Sequence, residues 1–168
     1  MDNSILEAVK VLKEGGLILY PTDTIWGIGC DATNEKAVAK VYALKQREDS
    51  KALVMLAADL DMVARYVQEI PQMAIQLVEV NDAPMTIIYP GATGLAPNAI
   101  AEDGSVGIRI PFEGSCIDLV KRFGRLLVST SANISGEPSP KNFNEIPQRI
   151  KDGVDYIVNP ELALESSG

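Results

Sequence analysis

Residues 17–27, LILYPTDTIWG, join a short apolar run to a polar turn, and the rest of the chain continues this pattern. The run at 17–20 ends at Pro21, as expected for a buried strand that enters a loop. Upstream, apolar residues recur at helical spacing between positions 5 and 12 and stop at a pair of glycines, where helices commonly end. The sequence therefore predicts a helix, a buried strand and a polar loop in succession.

The same alternation of helix and strand patterns extends along the chain. Further segments have the apolar spacing of helices, at residues 31–45, 60–67, 71–80 and 115–123. Apolar runs typical of strands occur at residues 52–57, 85–89, 106–110, 126–129 and 156–158. Strands interleaved with helices, without a linker or an internal repeat, predict one α/β domain over residues 1–168. Ligands of such sheets usually bind on loops beyond the strand ends.

Composition restricts the chemistry that the chain can perform. Among its 168 residues, 15 lysines and arginines stand against 23 acidic residues, and the resulting net charge of −8 disfavours general binding of polyanions. The chain contains no histidine, which excludes serine–histidine and cysteine–histidine catalysis and histidine-bound metals. Any phosphate contact must therefore come from a local cluster of cations.

The cysteines and the N-terminal segment indicate the compartment. Cys30 and Cys116 are far apart in sequence and lack Cys-x-x-Cys spacing, so we expect small buried hydrophobes in a reducing compartment. The first ten residues do not have the pattern of a secretory leader, and no run approaches the roughly 20 apolar residues that a membrane helix needs. These features predict a cytoplasmic protein with no membrane association.

A basic element follows the predicted helix at residues 31–45. Lys45, Arg47 and Lys51 place three cations within seven residues. Guanidinium and ammonium groups are suited to the bidentate and point-charge contacts that a triphosphate requires. The same residues also fit a solvated helix end, where basic side chains interact favourably with the helix dipole. The spacing alone leaves both interpretations open.

A hydroxyl-rich loop follows the predicted strand at residues 126–129. Residues 129–135, STSANIS, offer four hydroxyls and the carboxamide of Asn133, and a glycine follows that lets backbone approach a ligand. The alternative is an ordinary turn, because Ser, Thr and Asn stabilise turns through their own side chains. A ligand site and a plain turn are equally compatible with this pattern.

Arg109 lies within an apolar strand pattern and requires a partner, because burying an unpaired charge costs several kcal/mol. A structural carboxylate such as Asp103 and the carboxylate of a ligand are both candidates. Trp26 precedes a glycine after the first polar turn, and a core tryptophan is the simplest interpretation. The sequence has neither Gly-x-x-x-x-Gly-Lys-Ser/Thr nor Gly-x-Gly-x-x-Gly after a strand, so P-loop and dinucleotide folds are not indicated.

Taken together, four motifs resemble those of the YrdC-like threonylcarbamoyl-AMP synthases. They are PTDTIWGIGCDA at 21–32, KQR at 45–47 with Lys51, GIRIP at 107–111 and TSANISG at 130–136. Each motif is weak alone, but their common order is specific. The resemblance implies a twisted mixed sheet flanked by helices, with a concave ligand groove. It also implies an enzyme that forms threonylcarbamoyl-AMP and pyrophosphate from L-threonine, bicarbonate and ATP with Mg²⁺, for the threonylcarbamoyladenosine modification of tRNA.

The same resemblance implies roles for individual residues. The nucleotide-binding positions of the family correspond to Lys45, Arg47, Lys51, Ser131, Asn133 and Ser139. Lys45 and Arg47 are also the expected catalytic residues, and the Mg²⁺ ligands are not specified. The threonine-binding positions correspond to Thr24, Arg109 and Ser129, with Arg109 as the counter-charge of the threonine carboxylate. The implied partners are tRNA-modification proteins that use the product, together with a weak contact to tRNA.

Some positions depart from the family pattern. Trp26 replaces a tyrosine that is more usual, and residues 81–86 keep only Pro84 and Thr86 of a Pro-Gly-Pro-x-Thr motif. The family usually continues into a Ser-Thr-Ile-Val-like strand that helps cover the nucleotide, and this motif is not found in the sequence, so we expect either a trimmed chain or a more open nucleotide site. The competing function is a non-catalytic RNA- or nucleotide-binding protein of the same fold, which the net charge of −8 disfavours.

Overall fold

The computed structural model describes residues 3–21, 26–45, 53–79, 86–111, 115–133, 138, 140 and 142–158. In these ranges the α-helices are α1 Asn3–Lys13, α2 Glu35–Lys45, α3 Leu60–Ala64, α4 Gln72–Glu79, α5 Ser115–Phe123 and α6 Gln148–Gly153. The strands are β1 Ile18–Pro21, β2 Trp26–Asp31, β3 Val54–Leu56, β4 Thr86–Tyr89, β5 Val106–Arg109, β6 Leu127–Ser131 and β7 Tyr156–Ile157.

The strands form one mixed sheet in the order β4-β5-β3-β6-β2-β1-β7. Strand β3 pairs in parallel with β5 and antiparallel with β6, so it lies between two strands of opposite direction. Helix α2 packs on β2, while α1 and α5 pack on each other and on β1. The predicted α/β architecture, with a mixed sheet flanked by helices, is therefore confirmed.

Strand β2 is the main element that the sequence patterns did not predict. The sequence pattern predicted a polar loop up to Gly27 and a helix from residue 31. In the structure, residues 26–31 form a strand and α2 begins only at Glu35. All six β2 residues are buried because the strand lies between β1 and β6. Its two glycines and terminal Asp31 hide the apolar alternation that marks a strand. Helix α6, with Ile150 as its buried residue, was also missed.

Helix ends follow the expected capping chemistry. Gly15, in the predicted stop after α1, adopts a φ of +87°, a left-handed conformation that glycine reaches without strain. The side chain of Asn34 accepts a hydrogen bond from the Ala37 amide at 3.1 Å and so caps the start of α2. Asp59 caps α3 in the same way through the Met62 amide.

One face of the sheet carries a continuous row of residues that oppose one another across six strands. From β1 to β4 this central row comprises Ile18, Gly29, Ser129, Val54, Gly107 and Ile88. Directly opposed residues share a face, as do residues two positions apart on one strand. Ser131 and Arg109 therefore lie on the same face as the central row, one on either side of it.

The two cysteines and the tryptophan belong to the buried apolar core. Cys30 and Cys116 are buried free thiols, as predicted, and burial raises the pKa of the Cys30 thiol. Trp26 is also buried, and its ring packs against Phe143 with a centroid separation of 5.1 Å. Within the described ranges, no helix has both the length and the apolar character needed to span a bilayer.

Candidate active site

Lys45 joins the end of α2 to the hydroxyl-rich segment after β6. Its side chain is only 2% exposed. The ammonium Nζ donates hydrogen bonds to the backbone oxygen of Ser131 at 2.6 Å and to Oδ1 of Asn133 at 2.9 Å. A longer contact of 3.4 Å reaches Oγ of Ser131. The basic helix end and the hydroxyl-rich segment, which are 86 residues apart in sequence, therefore converge in space.

The Lys45 cluster, defined as Lys45, Ser131 and Asn133, is internally organised. Oγ of Ser131 donates a short hydrogen bond to Oδ1 of Asn133, which also accepts from Lys45. These three acceptors are neutral oxygens, which bind the ammonium without adding a negative charge. Such an arrangement holds a cation in a fixed position, which is what electrostatic stabilisation of a phosphoryl group needs.

Arg109 and Ser129 lie on the same sheet face as the Lys45 cluster. Arg109 is the last residue of β5, is partly buried, and opposes Leu56 on β3. Ser129 is partly buried in β6 and opposes Val54 on the other side of β3. These two of the three residues predicted to bind threonine are thus separated by one strand, and both side chains lie on the same sheet face.

Asp103, the structural carboxylate considered as a partner for Arg109, is engaged in its own turn. Its Oδ1 accepts hydrogen bonds from the Ser105 amide at 2.9 Å and from the Ser105 hydroxyl at 2.6 Å. These hydrogen bonds lower the pKa of the Asp103 carboxyl, because they stabilise its ionised form. The side chain is exposed, so Asp103 stabilises a surface turn.

Tyr20 is a polar residue beside the site that the motif reasoning missed. Its ring lies over Gly29, since a Cβ placed on that glycine meets Cε1 of Tyr20 at 2.8 Å. Among the described residues, none gives the buried Tyr20 hydroxyl a hydrogen bond of normal geometry. Burial raises the pKa of Tyr20, while Ser129 and Arg109 have a smaller lowering effect. The hydroxyl therefore stays protonated at neutral pH and lies near both residues.

The remaining predicted site residues lie outside the described residues. These are Thr24, Arg47, Lys51 and Ser139. The described part of the chain contains no group of three or more Asp, Glu or Cys side chains arranged to hold a metal ion. A pocket of about 360 Å³ occurs elsewhere, lined in part by Lys40, Arg149 and Asp155, and it includes none of the predicted site residues.

Asp31 and Arg125 provide a second polar network at the other end of β2. The buried Asp31 carboxylate accepts from the Thr33 amide and hydroxyl and pairs with Arg125 at 2.7 Å. Arg125 is half exposed, and the network ties the strand end to the segment before β6. Among the described residues, the donors to this carboxylate come from neighbouring turns, which indicates a structural role.

Sequence comparison identifies related proteins. A family model described as "Telomere recombination", which covers Sua5, YciO and YrdC proteins, matches residues 10–167. A threonylcarbamoyl-AMP synthase of Stenotrophomonas maltophilia is 35% identical over 157 residues, covering 92% of this chain and 84% of that protein. A threonylcarbamoyl-AMP synthase of an Enterobacter species is 31% identical over 158 residues, covering 92% and 83%.

Solved structures show the same fold. P. abyssi Sua5 in complex with L-threonine superimposes with a TM-score of 0.86 at 26% identity, covering 92% of this chain. This chain spans 46% of that Sua5 chain, just under half of its length. E. coli YciO superimposes with a TM-score of 0.78 at 24% identity, which supports the fold alone.

Proposed function

Because the chain belongs to the Sua5, YciO and YrdC family, we propose that it is a threonylcarbamoyl-AMP synthase. It joins L-threonine, bicarbonate and ATP and releases pyrophosphate. The single observation that carries this proposal is the Lys45 cluster, in which a buried ammonium is fixed by Asn133 and Ser131 on the sheet face that also carries Arg109 and Ser129. The names of the synthase relatives favour this function over non-catalytic RNA or nucleotide binding.

We place the phosphates of ATP at the Lys45 cluster. A fixed ammonium stabilises negative charge that develops on a phosphoryl group, and it does so without reorganising during the reaction. Arg47, Lys51 and Ser139 are proposed to complete this site, as the family motifs imply. Phosphoryl chemistry of this kind depends on positioning and charge, so the lack of histidine in the sequence is no obstacle.

We place L-threonine between Arg109 and Ser129, with Thr24 as a third contact. The Arg109 guanidinium suits a carboxylate because it can donate two parallel hydrogen bonds. The complex of P. abyssi Sua5 with L-threonine supports an amino-acid site on this fold.

The proposed reaction has two bond-forming steps. The deprotonated amine of threonine attacks the carbon of bicarbonate, and loss of water leaves a carbamate on the nitrogen. A carbamate oxygen then attacks the α-phosphorus of ATP, and the bond to the bridging oxygen breaks to release pyrophosphate. Lys45 and Arg47 are the residues proposed to stabilise charge on the phosphoryl oxygens in the second step.

Mg²⁺ is proposed to enter with ATP as part of the substrate. Mg²⁺ is commonly held by one or two carboxylates together with substrate phosphates, and does not need a complete protein cage. We further propose a cytoplasmic location, transfer of the product to tRNA-modification proteins, and at most a weak contact with tRNA.

Threonine-dependent pyrophosphate release tests this proposal. The protein is incubated with Mg²⁺, ATP and bicarbonate and with each amino acid in turn. We expect release to depend on threonine and Lys45→Met to reduce it by about 10²-fold or more. Lys36→Met, an exposed lysine in the first turn of the same helix, is the matched control and keeps full activity. Release that is indifferent to threonine in the unaltered protein refutes the function.

A further inference from the structure

The strand order constrains how an amino acid can bind to Arg109 and Ser129 together. Arg109 is on β5, Ser129 is on β6, and β3 lies between these strands. Adjacent strands are about 4.8 Å apart. A molecule that reaches both residues must therefore lie across β3, and the side chains of β3 that face it form its floor.

Strand β3 directs two side chains to this face, Val54 and Leu56. Leu56 is fully buried, whereas Val54 is 37% exposed. Val54 directly opposes Ser129 on one side and Gly107 on the other. Because Gly107 has no side chain, nothing from β5 rises beside Val54 at this level. The exposed isopropyl group of Val54 is therefore the apolar surface between the two polar residues.

This inference rests on the proposed function: we propose that Val54 is a specificity-determining residue that contacts the Cβ methyl group of L-threonine. If the carboxylate of threonine binds Arg109 and its amine and hydroxyl are directed to Ser129, the Cβ of threonine and the methyl group on it lie over β3. Serine has the same carboxylate, amine and hydroxyl but lacks this methyl group. Val54 thus provides the contact that separates the two substrates.

The expected size of the effect follows from the loss of one apolar contact. A single methyl or methylene group in an apolar pocket changes kcat/KM by roughly 10-fold or more. Val54→Ala removes the contact from the protein, and serine removes it from the substrate. The ratio of kcat/KM for threonine to that for serine therefore falls by about 10-fold in Val54→Ala, with the loss confined to threonine.

The experiment measures pyrophosphate release with threonine and with serine for the unaltered protein, Val54→Ala, Val54→Ile and Ile88→Ala. Val54→Ile keeps an apolar contact at the same position. Ile88 is the control for a neighbouring apolar side chain: it is 65% exposed in the central row, and its Cδ1 reaches over Gly107, on the side of Val54 away from Ser129. A fold defect lowers both rates together, so the ratio of the two substrates isolates the specificity.

A reduced threonine-to-serine ratio in Val54→Ala, with an unchanged ratio in Ile88→Ala and retained preference in Val54→Ile, supports the inference. An unchanged ratio in Val54→Ala, while the unaltered protein still depends on threonine, overturns the inference and leaves the proposed function standing. Release without any amino-acid dependence in the unaltered protein overturns both.

Discussion

The hydrogen bond between Lys45 and Asn133 can be tested by a double-mutant cycle. In the protein with Lys45 present, Asn133→Ala deprives a buried ammonium of an acceptor that lies 2.9 Å away. Hydrogen bonds to charged groups contribute about 1.5–3 kcal/mol, and an unsatisfied buried charge costs at least as much. We therefore expect Asn133→Ala to lower the free energy of unfolding by about 1.5–3 kcal/mol.

The same substitution is expected to cost much less once the charge is gone. Lys45→Met replaces the ammonium with an apolar chain of similar length, and replacing a buried charge in this way is often close to neutral. Oδ1 of Asn133 still accepts from the Ser131 hydroxyl, so it is not left unsatisfied. In the Lys45→Met background, Asn133→Ala should therefore lower stability by about 1 kcal/mol or less, the net value of one neutral hydrogen bond.

Urea unfolding of the four proteins, monitored by circular dichroism, gives the coupling energy directly. The expected coupling is about 0.5–2 kcal/mol or more, the difference between the two values for Asn133→Ala. Equal costs of Asn133→Ala in the two backgrounds would show that the ammonium and the carboxamide do not interact. Such additivity would refute the convergence on which the nucleotide site depends.

Three further predictions concern the sheet and one turn. Gly29→Ala places a Cβ 2.8 Å from Cε1 of Tyr20 and 3.2 Å from the Val128 carbonyl oxygen, so overpacking should lower stability in urea by about 1–3 kcal/mol. Tyr20→Phe removes a buried hydroxyl that has no hydrogen bond of normal geometry but interacts with the Ser129 side chain, so thermal unfolding should show stability changed by less than about 1 kcal/mol; a larger loss contradicts this. Ser105→Ala removes the hydroxyl that helps lower the Asp103 pKa, so an NMR titration should give a higher pKa, closer to the ordinary 3.8. The lowered pKa of the Asp103 carboxyl stabilises the fold at pH values above the ordinary carboxyl pKa, and this small contribution is lost as pH falls through the folded-state pKa. Ser105→Ala should therefore weaken the dependence of stability on pH in this range.

The sequence predicted elements whose burial is visible in the residue types. The runs that became β1 and β5 are apolar and end at proline, and the predicted helix at 115–123 matches α5 at both ends. Strand β2 was missed because Gly27, Gly29 and Asp31 are residues that usually mark turns. Its strand conformation comes from pairing with β1 and β6 over long sequence distances, which local periodicity does not reveal.

The candidate site was predicted in its residue types but not in its arrangement. Local spacing left Lys45 compatible with a solvated helix end, and only the resemblance to a family linked it to Ser131 and Asn133. In the structure Lys45 contacts Ser131 and Asn133, which lie 86 and 88 residues away in sequence, and local spacing carries no information on such a distant contact. Val54 had no motif at all, because its position between Arg109 and Ser129 depends on strand order and register.

The antiparallel pairing of β6 with β3 explains how one sheet face can hold two anions apart. Arg109 is level with Leu127 of β6, on one side of the central row, and Ser131 lies four residues further along β6, on the other side. Four residues of a strand correspond to about 13 Å. Ser131 and Arg109 are the last residues of β6 and β5. If the two strands ran in parallel, both residues would lie at the same edge of the sheet, where the C-terminal ends of the strands meet. The observed direction instead places Lys45, proposed to bind phosphate, and Arg109, proposed to bind the carboxylate, at opposite ends, with Ser129 and Val54 between them. In the proposed reaction, attack of the carbamate oxygen on the α-phosphorus joins the amino acid to the nucleotide between these two ends, so the threonine carboxylate and the outer phosphates stay apart.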